Sequence, residues 1–203
     1  MSKPTLYGIS GSRALRSIWA MEETGIDYEH VPTHFRGDAQ SDDYRAVNPN
    51  ARIPALVDGD LVLFESMAIN LYLAKTYGTG LYPANPADEA RTWQWSVWAI
   101  SEIEPLQMQI VVQKLFVPAD KRDPAVIERA GTGLQRPLKV LDEHLSARDW
   151  LLGDAFSIAD LNVAAVMNLL QMVKHDLTPF AHVSRWLAAC YARPALARAQ
   201  ARS

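Results

Sequence analysis

Leu6-Tyr7-Gly8-Ile9-Ser10-Gly11-Ser12-Arg13-Ala14-Leu15-Arg16 is the stretch on which the fold turns. It begins in a short β-type run, Thr5 to Ile9, and ends in a helical pattern. There Ala14, Leu15, Ile18 and Trp19 recur at helical spacing until Gly25 closes the helix. A Gly/Ser turn joins the two. Tyr28 to Val31 reads as a second strand, so the first two strands are linked by a helical crossover, which predicts a mixed sheet with helices packed on it. Further on, a polar stretch with a short helix around Asp42 to Val47 ends at Asn48-Pro49-Asn50. Ile53 to Val57 and Leu61 to Phe64 flank Asp58-Gly59-Asp60, a hairpin signal. Glu65-Ser66 then leads into a helix with Ile69, Tyr72 and Leu73 on one face. The order is βαβαββα.

The texture changes at Tyr77 to Pro86, where Gly and Pro cluster as in an interdomain linker. The expected division is an α/β domain over 1–80, a linker over 81–87 and an all-helical domain over 88–203. Residues 87 to about 117 read as one long helix or two, with Pro105 as a kink or a break. Asp123-Pro124 is an N-cap followed by proline at the first helical position. Ala130, Leu134, Leu138, Leu141 and Leu145 keep helical spacing after it, although Gly131, Gly133 and Pro137 interrupt the pattern. Two more helices carry Ile158 to Met172 and Phe180 to Cys190, and an Ala/Arg-rich tail follows from Arg193.

Composition narrows the function. The chain has 203 residues, 49% of them hydrophobic and 21% charged, enough for a sizeable core. A net charge of −3 gives no basic stripe to follow a phosphate backbone, so no nucleic-acid partner is expected. The single cysteine, Cys190, excludes a disulfide framework and a Cys-x-x-Cys centre. The five histidines show no short metal-ligand spacing, so no metal is expected. Leu161 to Val173 is too short and too polar to span a bilayer, and residues 1–20 lack the pattern of a secretory signal. The expectation is a cytoplasmic protein with no membrane partner.

Three segments belong together: the opening stretch, Asn48-Pro49-Asn50-Ala51-Arg52-Ile53-Pro54-Ala55-Leu56, and Phe64-Glu65-Ser66-Met67-Ala68-Ile69. With the late Phe156-Ser157-Ile158-Ala159-Asp160, their order resembles the cytosolic glutathione transferase superfamily, and within it the serine-type bacterial and fungal members. The resemblance implies an N-terminal thioredoxin-like domain and an all-α C-terminal domain. It also implies a homodimer, and glutathione as co-substrate for attack on a small, hydrophobic electrophile, as in detoxification. Two alternatives stay open: a noncatalytic protein-interaction module on this fold, and a specialised glutathione-dependent dehalogenase, etherase or isomerase.

The resemblance places Ser12 on the serine that activates the thiol, with Ser10 and Tyr7 as alternatives. A hydroxyl donating to sulfur near the start of a helix stabilises a thiolate. The same serine is also a favoured helix N-cap. Tyr7, inside a strand, equally reads as a core residue. Ile53-Pro54 resembles the family's Val-Pro element with its cis peptide, which presents the preceding backbone to glutathione. Arg52 sits where relatives hold the glycine carboxylate, and Ala51 departs from the family's usual Gly. Ser66, at a helix start, suits an anion, which the resemblance makes the γ-glutamyl carboxylate, with Glu65 beside the ammonium. Ser157 and Asp160 form a capping-box pattern with a purely structural reading. Trp95 and Trp98 read as packing residues, and Cys190 as a buried thiol.

Overall fold

The computed structural model describes residues 3–202. The chain divides into two compact units, one made of the residues up to Pro83 together with those from Ala192 onward, the other running from Ala84 to Tyr191.

In the first unit, β1 (Thr5–Tyr7), α1 (Leu15–Thr24), β2 (Glu29–Val31), α2 (Asp42–Val47), β3 (Ala55–Asp58), β4 (Leu61–Phe64) and α3 (Ser66–Tyr77) follow the expected order. The sheet runs β2-β1-β3-β4. β1 and β2 pair in parallel, and the other two pairings are antiparallel. Leu6, Ile18, Trp19, Met21, Leu56, Ile69 and Leu73 are fully buried and hold α1 and α3 on the sheet. Gly25 ends α1 with φ 68°, a left-handed cap that its missing Cβ makes easy. β3 starts at Ala55 rather than at Ile53, because the paired register stops there.

The last helix, α9 (Pro194–Ala201), belongs to this first unit, so the compact helical unit is shorter than the expected 88–203. Its buried Ala195, Leu196 and Ala199 form an apolar stripe, and α9 packs on α1. Arg193 meets Glu23 with two bonds of 2.6 and 2.7 Å, while Arg198 and Arg202 reach Glu22 at 2.9 and 3.0 Å. Burial opposes ionisation of Glu22, but hydrogen bonds from Arg198 and Tyr28 and the charge of Arg202 outweigh it and hold this carboxyl below the ordinary glutamate range.

The second unit is helical: α4 (Pro86–Trp98), α5 (Glu104–Val111), α6 (Pro124–Leu145), α7 (Ile158–Met172) and α8 (Ala181–Tyr191). At Pro105 the helical run is interrupted by a π turn between α4 and α5 rather than by a loop. The turn before the proline, Ala99–Ile103, widens to π geometry, which moves the carbonyl that its ring would strike. Asp123 caps α6 through Ala125 N at 2.9 Å, as expected. α6 continues through Gly131, Gly133 and Pro137. A Cβ on Gly133 would meet Leu106 Cδ2 at 3.0 Å, so glycine lets α5 and α6 approach closely. α7 is buried from Ile158 to Met167. Its Asn162 donates to Ser96 Oγ at 2.9 Å, which donates to Thr92 O at 2.7 Å. Cys190 is buried, as is Trp95, whose ring lies edge-on to Trp98 at 5.1 Å. Among the described residues no helix is long and apolar enough to cross a membrane.

Candidate active site

The strand register brings the three singled-out segments to one end of the sheet. Tyr7, the last residue of β1, pairs with Ala55, the first of β3, and Ala55 pairs with Phe64, the last of β4. The residues just beyond this row are therefore Gly8 to Ser12, Arg52 to Pro54, and Glu65-Ser66.

Gly8 begins the first segment at φ +139°, and a Cβ there would lie 2.3 Å from Ala14 Cβ. Only glycine combines that backbone with so close an approach. The turn closes by Ser12 N donating to Ile9 O at 3.2 Å, and Ser12 Oγ donates to the same carbonyl at 2.7 Å. Ser12 Oγ also accepts from Ala14 N at 3.1 Å. Bonds from Leu15 N to Ser12 O and from Arg16 N to Arg13 O continue a tight entrance to the helix. Thus α1 starts at Leu15, one residue after Ala14 where the helical spacing of the sequence begins, and Ser12 Oγ serves the backbone N–H two residues further on. Ser10 and Ser12 are half-buried. Tyr7 is half-buried as well, its ring edge-on to Tyr44 at 5.9 Å.

The Ile53-Pro54 peptide is cis. Both residues are buried, whereas the Arg52 side chain is exposed. The Arg52 carbonyl accepts from Tyr44 Oη at 2.8 Å and from Asn48 Nδ2 at 2.6 Å. Asn48 in turn accepts from Asn50 N at 3.0 Å, and Gln40 Nε2 donates to Ala51 O at 3.1 Å. Burial pushes the Tyr44 hydroxyl up to about 12, so it remains a donor across the neutral range. Ala51 adopts φ 52°, a left-handed conformation that favours glycine over alanine.

Glu65 is exposed at φ 73°, and Ser66 is buried as the first residue of α3. A non-glycine residue with positive φ is strained, and such strain is held in place by its surroundings. Here it turns the chain sharply from β4 into α3. The first-turn N–H groups of α3 have no intrahelical acceptors and face the end of the helix. Among the described residues no group of three or more His, Cys, Asp or Glu side chains is placed to hold a metal ion.

The sequence matches the family models for the glutathione S-transferase N-terminal domain over residues 2–75 and C-terminal domain over residues 103–194. It is 37% identical to glutathione S-transferase 3 of Zea mays, across 96% of this chain and 92% of that protein. The chain belongs to the glutathione S-transferase family. This transferase is also 30% identical to glutathione S-transferase GstB of Escherichia coli, over 95% of each. Its fold superposes on the theta class glutathione S-transferase from Xanthomonas axonopodis pv. citri, a structure with glutathione bound, with a TM-score of 0.91 and 30% identity over 100% of this chain and 99% of that one.

Sequence reasoning missed three residues that brace the candidate site: Tyr44 and Asn48, which grip the Arg52 carbonyl, and His30, whose Nε2 donates to Gly8 O at 2.8 Å. Asn48 lay within a visible turn signal, Asn48-Pro49-Asn50, but nothing in the pattern showed which carbonyl it would serve.

Proposed function

We propose that this chain binds glutathione at the end of the sheet where Tyr7, Ala55 and Phe64 align, and that Ser12 activates its thiol for attack on a small hydrophobic electrophile. That alignment carries the reading: it gathers a hydroxyl, the backbone before a cis proline and a helix N-terminus from segments far apart in sequence. Ser66 and the first-turn N–H groups of α3 suit the γ-glutamyl carboxylate, and Glu65 suits the adjacent ammonium. The backbone of Ile53 pairs with the cysteinyl part, and Arg52 reaches towards the glycine carboxylate.

A free thiol with a pKa of about 8.5 is mostly protonated at neutral pH. Lowering it by one unit takes about 1.4 kcal/mol of preferential thiolate stabilisation. The Ser12 hydroxyl hydrogen now points at Ile9 O. Rotation about Cβ–Oγ redirects that hydrogen to sulfur without moving the oxygen, which keeps its bond from Ala14 N. The Ile9 carbonyl keeps the Ser12 N–H, so the turn stays closed. A bond to an anion is roughly twice as strong as one to a neutral carbonyl, so the thiolate wins the hydrogen. The hydrogen stays on serine throughout. The thiol proton leaves to solvent as the thiolate forms, and a sulfur lone pair then makes the new bond to the electrophilic carbon. The pair of the bond broken there departs with the displaced group or, in an addition, moves onto the neighbouring atom, which takes up a proton from solvent.

Calorimetry tests the glutathione site. The folded protein is expected to release or take up heat with millimolar glutathione. Ser66→Ala should weaken binding by about 1–3 kcal/mol, about 5- to 150-fold in Kd, because a charged acceptor loses its donor. No heat of binding to a folded chain overturns the reading.

The chain works in the cytoplasm as a two-fold homodimer in this reading, the commonest symmetric assembly. Val62 and Phe64 in the first unit and Val97 in the second are exposed apolar side chains that suit an interface. Sedimentation at micromolar concentration is expected to give twice the chain mass, and a stable monomer that turns over would show the dimer to be dispensable.

A further inference from the structure

We propose that His30 is a positioning residue for Ser12, acting through the Gly8–Ile9 peptide; this rests on Ser12 being the group that activates the thiol. Gly8 is where β1 leaves the sheet, and both of its polar groups are tied to β2. Its N–H donates to Val31 O at 3.1 Å, and its carbonyl accepts from His30 Nε2 at 2.8 Å. A carbonyl cannot donate, so Nε2 carries the hydrogen. His30 is in register with Leu6, two residues before Gly8. At φ +139° Gly8 no longer follows strand geometry, and the imidazole reaches forward to a carbonyl that the ladder does not serve.

That peptide sits at a crowded junction. A Cβ on Gly8 would lie 2.3 Å from Ala14 Cβ and 3.5 Å from Ile53 Cβ, so the bare side of Gly8 faces both the entrance of α1 and the residue before the cis proline. The next carbonyl along the chain, Ile9 O, is the one that accepts both the N–H and the hydroxyl of Ser12. If the Gly8–Ile9 peptide swings, Ile9 O moves with it and the Ser12 oxygen follows. The His30 bond holds the Gly8–Ile9 peptide, and the Val31 bond holds the Tyr7–Gly8 peptide just before it. A histidine on the edge strand β2 thereby fixes where the hydroxyl stands when sulfur arrives.

His30→Leu removes the donor at similar size, and His30→Gln replaces it with an amide N–H at about the same reach. With His30→Leu, the bound thiol should titrate at higher pH and kcat/KM should fall about 5- to 10-fold at neutral pH. Most of that loss should return in alkaline buffer, with the Kd for glutathione unchanged within about twofold. His30→Gln should restore most of the activity and the thiol titration. In a Ser12→Ala background, His30→Leu should add less than about twofold, because the group it positions is gone. If His30→Leu fails to fold, His30→Asn, polar but too short to reach Gly8 O, takes its place. The role is overturned if the thiol titration stays put in the variant lacking the bond, if glutamine fails to rescue, or if the two substitutions add independently. An unchanged titration in Ser12→Ala alone overturns the Ser12 assignment itself, and the positioning role with it.

Discussion

Ser12→Ala is expected to lower turnover of a small electrophile by about 5- to 150-fold at neutral pH, the equivalent of about 1–3 kcal/mol, while glutathione affinity changes little. The loss should shrink as the pH rises, because solvent hydroxide then supplies the thiolate that serine no longer stabilises. Ser12 Oγ also accepts from Ala14 N, so alanine leaves an N–H at the head of α1 without its acceptor. That contributes about 1 kcal/mol of destabilisation, to be measured separately by thermal unfolding. Ser12→Thr keeps the hydroxyl and should recover much of the activity. Ser10→Ala and Tyr7→Phe are the controls, with thiolate absorbance of bound glutathione as the readout. An upward shift in either control, with Ser12→Ala unchanged, would move the role to that residue.

Asp160→Ala is expected to destabilise the helical unit by about 3–5 kcal/mol, because it removes a buried carboxylate and strands its donors. One carboxylate accepts from Leu151 N at 2.8 Å, Trp186 Nε1 at 2.9 Å, Ser157 N at 3.0 Å and Ser157 Oγ at 2.8 Å. It thus ties together the start of α7, the turn before it and α8. Burial raises this carboxyl above the ordinary aspartate range against the opposing pull of those bonds. Asp160→Asn keeps one oxygen as acceptor but turns an amide N–H2 towards other donors, so an intermediate loss is expected. For a chain of this size the alanine variant should melt about 6–20 °C lower. A fall below about 1 kcal/mol would show that the four bonds are replaced by water.

Local patterns were readable and long-range partners were not. The change from alternating to helical period along residues 5–31 placed β1, α1 and β2 close to where they form, because strands and crossover helices bury opposite periodicities. Ser157 and Asp160 were legible as a cap since their bond spans three positions. The bond from Trp186 to the same carboxylate spans 26 and left no local trace. The alignment of Tyr7, Ala55 and Phe64 depends on strand register, which a one-residue slip would change throughout. Pro105 illustrates an ambiguity of mechanism: the missing N–H is visible in sequence, but the π turn that accommodates it is not. The arginines from Arg193 onward read as a biased tail, since an amphipathic stripe says that a helix packs but not on what.

The clamp of Glu22 and Glu23 on the arginines of α9 sets an order of assembly during synthesis. Glu23 and Arg193 are 170 positions apart, and Glu22 and Arg198 are 176 apart. At about 5–20 residues per second, a ribosome makes Arg198 some 9–35 s after Glu22. By then the contiguous stretch from Ala84 to Tyr191 has been made in full, while the sheet-bearing unit still waits for its last helix. The part of the chain begun first is the part closed last.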